Sequence, residues 1–259
     1  MNTQYTKPSP KPTPMRKAIL SVALVGAMFV AGCSSSANTN TINDPLENMN
    51  RKVFAFNTVI DRAIIHPIVD GYRMVVPSFA RKGIHNFLAN LSSPVDFMNQ
   101  TLQGDVSGAT RVAERFAINT MVGVGGLFDV AGYEGLTREQ EDFGQTLGKW
   151  GVDHGAYLVT PVFGPLSARD AAGFMVDGFA DPLRMYWFNT DEKHLHYTRM
   201  GLGYLDLRNN LKDVLEDLQR SSIDYYAATR SIYYQRRDAL VRDEDKASSS
   251  AATSGFDDF

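Results

Sequence analysis

The chain has 259 residues, 44% hydrophobic and 21% charged, with a formal net charge of −3. That balance gives no electrostatic reason to bind nucleic acid and leaves enough apolar material for one sizeable core. Cys33 is the single cysteine, which excludes an internal disulfide framework.

Met15-Arg16-Lys17 is a basic n-region, and Ala18 to Val30 follows as an uncharged run of 13 residues. This is too short for a permanent membrane span and has the form of a secretory leader. Residues 1–14 contribute nothing to it, so Met15 is a second candidate for the true start. Val30-Ala31-Gly32-Cys33 closes the leader and resembles the lipobox of bacterial lipoproteins, in which the cysteine becomes the lipidated first residue of the mature chain. Acyl chains at ~0.8 kcal/mol per buried methylene would hold Cys33 to a membrane surface. Residues 1–32 hold four basic and no acidic residues, so the mature part carries −7. Residues 33–43 read as a flexible tether, 44–243 as one folded domain, and 244–259 as a disordered tail.

Within the domain, helical signals dominate and the expected class is all-α. Asp44-Pro45-Leu46-Glu47 reads as a helix start, with an acidic N-cap, proline at the first helical position and a carboxylate at the third. Met49, Val53, Phe56, Ile60 and Ile64 then form one apolar stripe, with Asn50, Phe54, Asn57 and Asp61 on the neighbouring face. Pro67 is expected to stop this helix or bend the chain. Further helices are predicted near 79–90, 94–103, 106–121, 138–148 and 168–180, with a long regular segment over 196–240. Tyr157-Leu158-Val159 is the best strand candidate. Two stretches, 116–133 and 155–168, nearly lack charge; they are either buried core or surface set into a bilayer.

No catalytic constellation stands out. His194 and His196 diverge by about 200° in a helix, so they would not share a metal. There is no Gly-x-Ser-x-Gly elbow. Gly123-Val124-Gly125-Gly126 lacks the third glycine of a dinucleotide loop, Phe128 standing in its place. No metal or cofactor is expected.

Several motifs in order then bear on identity. They are Asp44-Pro45-Leu46-Glu47-Asn48-Met49-Asn50-Arg51, Phe54-x-Phe56-Asn57-x-x-x-Asp61, Pro77 with Arg81, and Asn86-Phe87-x-x-Asn90-Leu91-x-x-Pro94. They continue in Leu102-Gln103-Gly104-Asp105, Arg115-Phe116-x-Ile118-Asn119-Thr120, Gly123-x-Gly125-Gly126-x-x-Asp129-x-Ala131, and Phe143-Gly144-x-Thr146-Leu147-Gly148-x-x-Gly151-Val152. Pro161-x-x-Gly164 and Arg169-Asp170 complete the series. With these the chain resembles the MlaA (VacJ) family of outer-membrane lipoproteins over roughly 44–240.

The resemblance implies a ring-like helical domain partly embedded in one leaflet, anchored through Cys33 on the periplasmic side of the outer membrane. It implies a channel that removes mislocalised phospholipids from the outer leaflet and passes them to a soluble periplasmic lipid carrier, beside a trimeric porin. It implies no enzyme chemistry. An envelope hydrolase and a structural scaffold are the competing readings. Asn50, Asn57, Asp61, Asn119, Lys193 and Arg169 are of the type that would line the polar part of a lipid path; for each singly, a buried structural hydrogen bond or cap competes. Gly144, Gly148, Gly151 and Gly155 are candidates for the hinge of a gating loop, with close packing as the alternative.

Overall fold

A computed structural model of the chain describes residues 44–243. Cys33, the tether and the tail lie outside the described residues. Among these the fold is all-α apart from one small hairpin. In chain order the elements are α1 (Glu47–Ile60), a π-helical turn (Asp61–Ile65), α2 (His66–Val75), α3 (Ser78–Gln103) and α4 (Val106–Met121). Then come α5 (Val130–Tyr133), α6 (Phe143–Lys149), β1 (Tyr157–Thr160), β2 (Gly164–Ser167), α7 (Ala168–Ala180), α8 (Pro182–Asn189), α9 (Lys193–Ser221) and α10 (Tyr225–Val241). The strands pair antiparallel, Tyr157 opposite Ser167 and Thr160 opposite Gly164.

Helix ends follow local chemistry where a polar side chain is free to cap. Asp105, Asp129, Asp142, Ser167 and Asp224 each accept a backbone N–H from the first turn of the helix they open. Gly104 takes a left-handed φ of +79° to close α3, and Asp105 at once opens α4. That corner turns the chain back so that α3 and α4 pack along each other.

Five expectations are corrected. Asp44 does not cap α1: Leu46 occupies that position, and the Asp44 carboxylate instead takes bonds from Asn50, Tyr226 and Arg230. Pro67 neither stops nor deflects the helix. It falls at the second residue of α2, directly after the π turn, and the helix runs on through it without a break. The helices predicted at 79–90 and 94–103 are one, with Pro94 inside it. Ser92 and Ser93 donate to the carbonyls of Leu88 and Ala89, while Arg199 donates to Leu91 O, so carbonyls around the proline turn keep partners. Finally, 196–240 is two helices, parted at Ser222–Asp224, and the helix predicted from 138 starts only at Phe143, after its Asp142 cap.

The interior is unusual in composition. Among the described residues seven hydrophobic side chains are buried, against 17 polar or charged ones, so packing alone does not hold the fold. Tyr157, Val159 and Tyr226 form a small apolar cluster under α1 and α10. Elsewhere helices are joined by charge. Arg237 of α10 bonds Asp142 at 2.7 and 2.8 Å and Asp170 at 2.8 Å, tying α6 and α7 together. Burial would push both carboxyls up, but the Arg237 guanidinium holds them below the usual carboxylate range. At the other end of α10, Arg230 reaches Asp44 (2.5 Å) and Glu47 (3.2 Å). Arg115 of α4 pairs with Asp129 at 2.8 Å, and Arg199 of α9 with Asp181 at 2.6 Å.

A close helix contact lies between α6 and α7. A Cβ added to Gly173 would sit 2.2 Å from the backbone nitrogen of Gly144, whereas one at Gly178 on the same helix would meet nothing within 4 Å. Gly173→Ala should therefore destabilise the domain by about 1–3 kcal/mol or more through overpacking. Gly178→Ala should be neutral or stabilising by about 0.5–1 kcal/mol. Thermal unfolding of the two variants side by side checks this; equal midpoints would show that α6 and α7 can separate without cost.

Candidate functional site: an amphipathic cavity beside the hairpin

A cavity of about 330 Å³ lies between α1, the π turn, the hairpin tip, α9 and α10. Its wall is mostly apolar, with Ile60, Ile65, Phe163, Leu207, Leu211 and Leu215 among its residues. Set into that wall is a bidentate ion pair. Asp61, first residue of the π turn, receives Arg208 Nε at 2.6 Å and Nη2 at 2.8 Å. Arg208 is only 7% exposed, so its charge is desolvated, and its Nη1 has no partner in the protein. Hydrogen bonding to Asp61 raises the guanidinium pKa further. π turns insert an extra residue into a helix and recur at functional sites, and this one forms part of the cavity wall.

The hairpin is held by helix side chains acting in place of a third strand. Asn50 Nδ2 donates to Tyr157 O at 2.9 Å, and its Oδ1 accepts from Val159 N at 3.0 Å. Two helical turns on, Asn57 repeats the pattern with Thr160 O and Val162 N, each at 2.9 Å. The spacing of seven residues puts both carboxamides on one face of α1, at the pitch needed to follow an extended chain. At the tip Val162 takes a φ of +70°, and the Tyr204 hydroxyl donates to its carbonyl at 3.2 Å.

The sequence candidates are thus dispersed. Asn57 and Asp61 line the cavity, with the Asn57 carboxamide committed to the hairpin. Asn50 is fully buried and outside the cavity wall. Asn119 is buried elsewhere, donating to Asp129 and accepting from Ala131 N, both at 2.9 Å. Lys193 is half-exposed at the start of α9, 3.1 Å from Asp191. Arg169 is buried with Asp170 at the start of α7, where Ser167 is the cap. His194 and His196 both lie in α9, and among the described residues no group of three His, Cys, Asp or Glu could hold a metal.

The four glycines divide into two kinds. Gly144 and Gly148 lie within α6, where an added Cβ would come within 2.5 Å of Asp170 Oδ1 and 2.7 Å of Val241 Cγ2. Close packing accounts for both. Gly151 and Gly155 instead have φ of +87° and +68°, which a side chain would strain.

Arg208 and Tyr204 were missed by sequence reasoning. In α9 the leucines look like the buried face, yet the buried residues are Asp206, Arg208 and Asn209, while Leu202, Leu207 and Val214 are exposed. An amphipathic pattern does not say which face is inside.

A second, polar cavity of about 210 Å³ is lined by Asp96, Asn90, Arg115, Asn119 and Arg138. Burial pushes the Asp96 carboxyl up to about 7.

These features define an all-helical protein with an amphipathic cavity and an extensive apolar exterior. The MlaA lipoprotein family profile matches residues 42–240. The Escherichia coli (strain K12) protein named intermembrane phospholipid transport system lipoprotein MlaA is 37% identical over 230 residues, 87% of this chain and 89% of that one. Its Haemophilus influenzae namesake is 33% identical, covering 88% of this chain and 92% of its own. A chain from a solved structure on the structural basis for maintenance of bacterial outer membrane lipid asymmetry superposes with a TM-score of 0.68 at 36% identity. That likeness covers 77% of this chain and 99% of the other. The chain belongs to the MlaA lipoprotein family.

Two predictions follow from the geometry. Asn57→Leu removes both bonds to the hairpin tip, so the Val162 amide should exchange roughly 10- to 100-fold faster, for about 1–3 kcal/mol lost. The Val159 amide, held by Asn50, should keep its protection; if both open together, the hairpin moves as one body. For Asp96, a folded-state pKa above the unfolded value means the folded chain binds the proton more tightly. Its contribution to stability is greatest near pH 4 and falls as pH rises through about 7. Asp96→Asn keeps an acceptor for Glu141 N–H. It should therefore match wild type near pH 4 and exceed it by about 1–3 kcal/mol at pH 8. Denaturant unfolding across that range checks the sign.

Proposed function

We propose that this chain moves phospholipid between membranes as an envelope lipoprotein, with its body set in one leaflet and the cavity beside Asp61 as part of the lipid path. The observation that carries the reading is where the apolar side chains are. No helix among the described residues is long and apolar enough to cross a membrane. Yet Phe56, Val59, Ile64, Met74, Val75 and Phe79 on consecutive N-terminal elements are exposed, as are Met121, Val122, Val124 and Phe128 after α4. The charge-poor stretch 116–133 is thus largely surface, whereas 155–168 divides between buried Tyr157 and Val159 and an exposed Phe163 tip. Patches of this extent mark contact with lipid or protein rather than water. Backbone groups in helices are already paired, so such a surface can enter hydrocarbon without exposing bare amides.

The names borne by the relatives supply the cargo: phospholipid, with maintenance of outer-membrane lipid asymmetry as the outcome. The finer parts of the reading are the ring enclosing a channel, anchoring through Cys33 on the periplasmic side of the outer membrane, a trimeric porin as neighbour, and a soluble periplasmic carrier as recipient. Lys193, Asn50 and Asn119 enter it as residues that hold the frame of the path, outside the wall of this cavity. Any gating motion in 143–155 turns on Gly151 and Gly155.

The test removes the anchor and keeps the body. With Cys33→Ser behind a cleavable leader, the chain should still fractionate with membranes and need detergent to become monodisperse. A monodisperse, detergent-free protein would overturn insertion of the body and leave the lipid anchor as the only membrane contact.

A further inference from the structure

We propose that the Asp61–Arg208 pair is the headgroup-recognition element of the cavity, selecting phospholipids with an aminoalkyl phosphodiester headgroup over those whose headgroup is only anionic. The inference rests on the transport reading and adds to it a substrate class and two recognition residues.

Three observations carry it. First, the pair is bidentate through Nε and Nη2, while Nη1 of a guanidinium only 7% exposed has no acceptor in the protein. A buried charged donor without a partner is costly, and a phosphodiester oxygen is the acceptor that a guanidinium fork matches best. Second, several other polar groups of the wall are already engaged, and Arg62 is a second, exposed cation there. Asn57 holds the hairpin, Tyr204 donates to Val162 O, and His66 faces Asp70 and Glu216. Third, Asp61 has a side chain one-third exposed, so its carboxylate keeps lone pairs open to a second cation beside Arg208.

Charge balance then sets the selectivity. The formal charges of the wall, Asp61 and Glu216 against Arg62 and Arg208, cancel, so a zwitterion placed across the pair, phosphate toward Arg208 and ammonium toward Asp61, keeps that balance. A headgroup with only a negative charge would leave one uncompensated charge among Ile60, Leu207, Leu211 and Phe163, where screening is poor. The volume of about 330 Å³ suits a headgroup rather than a whole two-chain lipid. The acyl chains would then stay against the exposed apolar surface.

The test uses the full-length chain as isolated from membranes, incubated in detergent with vesicles of equimolar phosphatidylethanolamine and phosphatidylglycerol. Retained lipid is extracted and quantified. Wild-type protein should retain phosphatidylethanolamine over phosphatidylglycerol by roughly fivefold or more. D61N, which removes the partner for the ammonium at nearly constant shape, should bring that ratio to one or below. R208M should reduce retention of both lipids. A wild-type ratio near one overturns the headgroup assignment whatever the variants do, as does a ratio unchanged in D61N. If wild type retains neither lipid, the transport reading falls together with the assignment.

Discussion

A polar interior is the constraint on which everything else depends. Arg237 between Asp142 and Asp170, Arg115 against Asp129, Arg199 against Asp181 and Arg208 against Asp61 replace the apolar contacts that usually join helices. Each charge withdrawn from water is expensive unless its bonds are nearly complete, and breaking one partner of a buried pair costs about 3–5 kcal/mol. Such a frame is therefore exacting. It permits few geometries, because a shifted helix would strand a charge rather than slide over a greasy surface. The apolar residues that would have formed a core are left for the exterior.

Exchanging inside and outside changes what the helices can do. A body held by polar contacts does not need water to drive its assembly as strongly as one held by apolar burial, so it can keep its form beside hydrocarbon. It also leaves room for a cavity whose wall mixes Leu and Phe with a bidentate charge pair. The small cluster of Tyr157, Val159 and Tyr226 is an exception, and it lies where the hairpin must be held against α1 and α10. Tyr233 completes that junction, accepting from Ser167 N at 2.7 Å and donating to Asp170. Through Tyr233 the hairpin, the Ser167 cap and the Arg237 ion pairs are joined.

Much of the fold was legible because helix signals are local. The 106–121 and 168–180 helices stand almost where their periodicity placed them, and Tyr157-Leu158-Val159 is a strand. Errors came where a helix runs on through a proline, at Pro94 inside α3 and at Pro67 just after the π turn, and at Asp44, drawn from capping into a network with Tyr226 and Arg230. The candidate site was legible in half. Asn50, Asn57 and Asp61 were recognised as one face of a helix, and that face does turn inward. What periodicity could not tell is that two of the three serve the hairpin. In α9 the regular pattern does not say which face is inside: Asp206, Arg208 and Asn209 are buried, whereas Leu202, Leu207 and Val214 are exposed.

The family motifs bear out this division of labour. Asp44, Asn50, Arg51, Asn90, Asn119, Asp129, Gly144 and Asp170 all belong to them, and in the structure each is a bond or a close approach within the frame. Gly126 is one as well: a Cβ there would lie 2.4 Å from that of Asn90. A frame made of directional bonds needs particular residues at particular places, so it leaves a readable signature. An apolar wall needs only bulk and hydrophobicity, which many sequences supply. The chain is therefore recognised by what holds it together, while its exposed apolar surface becomes visible only once the helices are in place.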